Sequence, residues 1–261
     1  MKILAAIAQT RIQFGSLTAN LAITRARMQA AARLHAHWIV FPELWLHGYD
    51  LKHFSEHARG TPAALQEIAA LAADYQLTVW GTVLQSEGDN LYNSLVTITP
   101  QGEIRYRYRK THLFRPLRED SWLQAGGELA PVFTHQGISI GPAICYDLRF
   151  PELFRAQMLA GAQCVVLPAQ WSRPRLEHWQ TLLRARAIEN QTFVIGVNAV
   201  GLTGKETLTG SSAIISPRGQ VLAQASLEEE ALLTAELDFD ALLAWRTDFP
   251  VLKDRRGDLY G

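Results

Sequence analysis

The chain predicts an α/β fold. Short β-branched or aromatic runs alternate with longer amphipathic stretches almost throughout, 48% of the 261 residues are apolar, and no repeat or Pro/Gly/Ser-rich linker interrupts the alternation. That length and apolar content allow one large core, so residues 1–261 read as a single domain. Ile3–Ala8 is the first expected strand. Ser16 stands in a capping position before Leu17, Leu21, Met28 and Leu34, and this helix leads to a strand at Trp38–Phe41. Leu65, Ile68, Leu71, Ala72 and Tyr75 mark a second helix, with strands to follow near 77–84, 92–98 and 103–110. Pro151 suits the first position of a third helix with Phe154, Met158 and Leu159 on its apolar side, and Leu182, Leu183 and Ile188 belong to a fourth. Further strands are expected near 163–167, 192–198, 211–216, 220–225 and 231–237, with Pro217-Arg218-Gly219 as a turn. The tail from about residue 240 carries Leu242, Leu243, Trp245, Phe249 and Leu252 among charges, a pattern suited to packing on a neighbouring surface or subunit.

Lys plus Arg and Asp plus Glu number 25 each, so no basic excess points to nucleic acid and no acidic block to a disordered tail. A small molecule is the expected partner. Two cysteines, Cys145 and Cys164, cannot build a disulfide framework and lack metal-ligand spacing, which suits a reducing cytoplasm. The run Ile3–Ala8 is too short for a signal-peptide core, and no later segment reaches membrane-spanning length, so a soluble, unexported protein is expected.

Three residues at the edges of apolar runs carry chemical interest. In the strand ending at Lys110, alternation puts Ile104, Tyr106, Tyr108 and Lys110 on one face, where an ammonium needs an anion opposite it. Glu43 follows the buried-looking run Trp38–Phe41 and Pro42; burial and a nearby ammonium would tune it as a base. Cys145 shares a face with Ser139, Gly141 and Ala143, small residues that leave space beside a thiol, and a turn at Tyr146-Asp147 would aim backbone N–H groups at a substrate oxygen. Each has an ordinary alternative: a snorkelling lysine, a capping or solvated glutamate, an inert core cysteine. Cys164 fits the inert class. As a set they suit acyl transfer, with the thiol attacking a carbonyl carbon, the carboxylate moving the proton and the ammonium steadying the oxyanion.

Glu43 in FPELW, Lys110 in YRKTHLF and Cys145 in ICYDLRFPEL together resemble the nitrilase superfamily of carbon–nitrogen hydrolases, and the likeness continues through EDSWLQAG (119–126), HWQTLLRARAIENQTFVIGVNAVG (178–201) and GSSAIISPRGQV (210–221). The resemblance implies a four-layer αββα sandwich, usually a homodimer or higher homo-oligomer, and a Glu-Lys-Cys triad without metal or organic cofactor. It adds Glu119 as the second glutamate beside the lysine, and the Tyr146 N–H as partner of Lys110 in an oxyanion hole. The stretch after Cys145 looks like the amidase branch, which includes omega-amidases and deaminated-glutathione amidases, rather than the Trp-Glu of nitrilases. Omega-amidases release ammonia from short 2-oxo dicarboxylic monoamides and need a cation for the far carboxylate. Arg115, Arg149, Arg173 and Arg175 are the candidates, with Phe114, Tyr146 and Trp171 as pocket walls. Nitrilase, N-carbamoyl amino acid amidohydrolase and a catalytically silent scaffold remain possible on the same residues. Three weaker rivals are a thiol hydrolase using His47, His112 or His178, a metal enzyme on His35 and His37, and a phosphate loop at Gly201–Glu206. The last lacks the required glycine spacing and the Ser or Thr after Lys205.

Overall fold

A computed structural model describes residues 1–128, 132–204 and 206–260. In chain order the elements are β1 (Lys2–Gln9), α1 (Leu17–Arg33), β2 (Trp38–Val40), α2 (Phe54–Tyr75), β3 (Thr78–Glu87), β4 (Asn90–Ile98), β5 (Ile104–Arg109), β6 (Phe133–His135), β7 (Ile138–Pro142), α3 (Pro151–Leu159), β8 (Cys164–Ala169), α4 (Leu176–Asn190), β9 (Phe193–Asn198), β10 (Val200–Thr203), β11 (Glu206–Thr209), β12 (Ala213–Ile215), β13 (Val221–Gln224), β14 (Ala231–Asp238), α5 (Phe239–Asp248) and α6 (Gly257–Tyr260). Two six-stranded sheets form, ordered β14-β1-β2-β3-β4-β5 and β13-β12-β9-β8-β7-β6, and β10 and β11 make a separate hairpin. Strands β1, β2 and β3 are parallel, as are β7, β8 and β9.

Alternating side chains build the layers. On the first sheet Ile3, Ala5, Ile7, Trp38 and Val40 face the second sheet, while Ala6, Ala8 and Ile39 face α1 and α2. Helices α3 and α4 cover the second sheet through Phe154, Trp179 and Leu183. This is the expected αββα sandwich. Among the described residues no helix is long and apolar enough to cross a membrane.

Several local expectations fail for identifiable reasons. Helix α2 starts at Phe54, well before Leu65, and runs through Gly60 and Pro62, because Phe54 and Ala58 pack with Leu44, Tyr49 and Leu84 and this packing outweighs poor local propensity. The single face proposed for β5 is broken by a bulge: Leu95 pairs with Tyr108 and Val96 with Tyr106, leaving Arg107 without a partner. Ile104 therefore packs on the helix side of the sheet and Tyr108 between the sheets. Leu159 is 54% exposed rather than on the apolar side, since the buried stripe of α3 runs through Leu153, Phe154, Gln157 and Met158. The segment compared with a phosphate loop is the β10–β11 hairpin; Lys205 lies outside the described residues. Strand β6 was not foreseen. It pairs with β7 through a turn at Gln136 and Gly137, both at positive φ.

Candidate active site

The residues of interest leave the carboxyl ends of strands, where an open parallel sheet presents its loops. Glu43 follows β2, Lys110 follows β5, Cys145 follows β7 and Gln170 follows β8. The Glu43 side chain is fully buried. Its Oε1 accepts hydrogen bonds from Lys110 Nζ at 2.8 Å, the Tyr49 hydroxyl at 2.6 Å and Asn93 Nδ2 at 2.8 Å, and its Oε2 accepts from the Gln170 N–H at 3.0 Å. Glu119, also fully buried, accepts from Lys110 Nζ at 3.0 and 2.9 Å and from the Phe114 N–H at 2.6 Å. One ammonium thus lies between two carboxylates, all out of water. Burial alone would lower the Lys110 pKa, but the charges of Glu119 and Glu43 outweigh it and the value rises, so the lysine stays charged.

Cys145 is not on the strand. β7 stops at Pro142, and Cys145 opens a tight 3-10 turn, Cys145–Arg149, with φ +44°, a left-handed conformation that costs energy for a residue with a Cβ. The expected room beside Gly141 is also absent, since a Cβ there would stand 2.6 Å from Gln157 Oε1. Asp147 fixes the turn instead: its Oδ2 accepts from the Ile144 N–H and the Tyr108 hydroxyl, each at 2.8 Å, and its Oδ1 from the His112 N–H at 3.1 Å. Burial raises the Cys145 pKa well above its usual value. The Glu43 charge adds to this, while Lys110 and the Gln170 N–H pull the other way. The resting sulfur is a thiol with a carboxylate as its neighbour.

Cys145 lies at a pocket of about 90 Å³ walled by Phe114, Tyr146, Trp171 and Leu208, with Arg149 and Arg175 at its side. Arg149 lies over the Trp171 ring at 4.7 Å and donates to His178 Nδ1 at 3.2 Å; Arg175 lies 5.4 Å from the Phe114 ring centre and donates to Ser172 Oγ.

Comparison with known proteins decides the family. The carbon–nitrogen hydrolase profile matches residues 4–247. The chain belongs to the carbon–nitrogen hydrolase family. This hydrolase is 36% identical over 256 residues to a 2-oxoglutaramate amidase of Bacillus subtilis, with 97% of each chain covered. It is 41% identical over 169 residues to a deaminated glutathione amidase of Escherichia coli O157:H7, covering 63% of this chain and 62% of that one. Among solved structures it resembles a CN-hydrolase superfamily protein of Xanthomonas campestris with an arsenic adduct in its active site (TM-score 0.90, 28% identity, 98% of both chains). It also resembles a Nesterenkonia amidase complexed with butyramide (TM-score 0.87, 26% identity, 99% of this chain and 95% of that one). The expected enzyme class, an amidase acting on non-peptide carbon–nitrogen bonds, agrees with both sets of relatives.

Of the residues singled out from the sequence, the hydrolase brings together Glu43, Lys110, Glu119 and Cys145, and lines the pocket with Phe114, Tyr146, Trp171, Arg149 and Arg175. Two arginines do not join them. Arg115 is 86% exposed on its side chain and faces Asp120, and Arg173 is ion-paired with Glu228 at 2.6 Å; loop turns carry both away from the pocket. The rival histidines have other partners: His47 stacks on His57, His112 Nδ1 meets Asp147 at 2.7 Å, and His178 meets Arg149. Tyr49, Asn93, Gln170 and Asp147 were missed as contacts of the site, as were Thr203 and Glu206 on the pocket wall. Asp147, two residues after Cys145, and Gln170, beside Trp171, stood near enough to residues already singled out to be found.

Proposed function

We propose that this hydrolase releases ammonia from the terminal amide of a short 2-oxo dicarboxylic monoamide through a thioester on Cys145. The observation that carries the reading is the convergence of a thiol, a carboxylate and a charged ammonium beside a pocket whose two arginines, among the described residues, have no carboxylate partner. The Bacillus subtilis relative supports the substrate class. The Cys145 thiol attacks the amide carbon and its proton passes to Glu43. Lys110 Nζ and the Tyr146 N–H hold the tetrahedral oxyanion, and Glu119 keeps Lys110 charged and fixed. When the intermediate collapses, the C–N bond breaks, Glu43 returns the proton to nitrogen and ammonia leaves. Water, deprotonated by Glu43, then attacks the thioester carbon, and sulfur departs to regain its proton. Arg149 or Arg175 clamps the far carboxylate.

A single-domain, cytoplasmic homodimer belongs to the same reading, in keeping with two free buried thiols. Ammonia release measured across short 2-oxo dicarboxylic monoamides, deaminated glutathione, carbamoyl amino acids and nitriles tests it. Turnover of the monoamides above the others is expected. Turnover of nitriles alone would refute the substrate class while leaving the nucleophile standing.

A further inference from the structure

We propose that Asp50, His53 and His57 form a binding site for one divalent transition-metal ion of the zinc class, separate from the Cys145 pocket. None of the three is among the residues whose spacing was weighed above for a metal, Cys145, Cys164, His35 and His37. Asp50 and His53 lie on the turn entering α2, and His57 follows one helical turn later, so the three side chains meet on one side. Asp50 Oδ2 is 2.9 Å from both His53 Nδ1 and His57 Nε2, and one donor atom from each of the three residues falls within 4.8 Å of the others.

Donors about 2.0–2.1 Å from a tetrahedral zinc ion stand roughly 3.3 Å apart. The two oxygen–nitrogen separations of 2.9 Å therefore open by a few tenths of an ångström to admit an ion, each imidazole coordinating through the nitrogen that now meets Asp50. Two imidazoles and a carboxylate, with water in the fourth position, suit zinc and disfavour magnesium or calcium. Asp50 and His57 are mostly buried, whereas the His53 side chain is 57% exposed and leaves a path from solvent. His47, 1% exposed, stacks on His57 with ring centres 4.4 Å apart, and its Nε2 has no hydrogen-bond partner among the described residues. Gly15, at φ +68°, keeps the other side clear, since a Cβ there would stand 2.9 Å from Asp50 Oδ2.

The test titrates chelator-stripped protein with zinc chloride by calorimetry, in a Cys145→Ser background that removes the competing thiol, and locates the ion by anomalous diffraction. One equivalent should bind among the three side chains. His53→Gln, a change at an exposed position that does not threaten folding, and His57→Gln should each weaken binding by at least about tenfold, while His35→Gln should leave it unchanged. Absence of stoichiometric binding, or one equivalent that persists unweakened in both the His53 and His57 variants, would overturn the site.

Discussion

The Tyr108 hydroxyl donates to Asp147 Oδ2 at 2.8 Å, and this bond ties the strand that leads into Lys110 to the turn that begins with Cys145. Asp147 is fully buried and also holds the Ile144 N–H just before the sulfur. Asp147→Asn keeps the volume but puts an amide donor where two donors now converge. It should lower kcat/KM by about 10- to 100-fold, through misplacement of the sulfur. Tyr108→Phe loses two hydrogen bonds, the one donated to Asp147 and the one its oxygen accepts from the Thr111 N–H, and should cost about 1–3 kcal/mol in stability. Steady-state kinetics beside urea melts separate the two effects.

Glu43→Gln removes the proposed proton carrier and should reduce kcat by roughly 10² to 10⁴. Trapping Cys145 with a haloacetamide should slow as well, because no carboxylate then takes the thiol proton. Glu119→Gln leaves the buried ammonium with Glu43 as its one charged partner and should destabilise the fold by about 3–5 kcal/mol. Unchanged denaturant midpoints in that variant would contradict the two-carboxylate arrangement.

If Arg149 or Arg175 clamps a carboxylate, replacing that arginine with alanine removes a charged hydrogen bond of about 1.5–3 kcal/mol, or roughly 10- to 100-fold in KM. The effect should appear with a carboxylate-bearing amide and vanish with a neutral one. Arg115→Ala and Arg173→Ala should leave both constants near wild type, because their guanidinium groups lie away from the pocket.

His135 is packed against Trp80 and Trp38 and bonded to Thr78 Oγ1 at 2.9 Å; burial, helped by Arg107, lowers its pKa to about 4. The unfolded chain takes up this proton near pH 6.5 and the folded one only near pH 4, so stability should fall as pH drops through that window and flatten below it. His135→Gln should remove this contribution to the slope. Thermal melts from pH 7 to 4 measure it.

Much was legible in the sequence because strand alternation and turn chemistry are local. Most element positions, the αββα class and the four residues Glu43, Lys110, Glu119 and Cys145 followed from patterns and from motifs in a recognisable order. What escaped was decided by packing between distant segments. The bulge at Arg107 reversed the face reading of β5, and Gln157 filled the space expected beside Gly141. Tyr49 and Asn93 reached Glu43 from segments without a motif, and two of four arginines faced solvent. Sequence by itself determined which chemistry the chain carries, since residue types and their order are written along it. Only the tertiary structure decided which groups share a dry site, because burial and hydrogen bonding there join atoms from strands far apart in the chain, and no local pattern encodes that meeting.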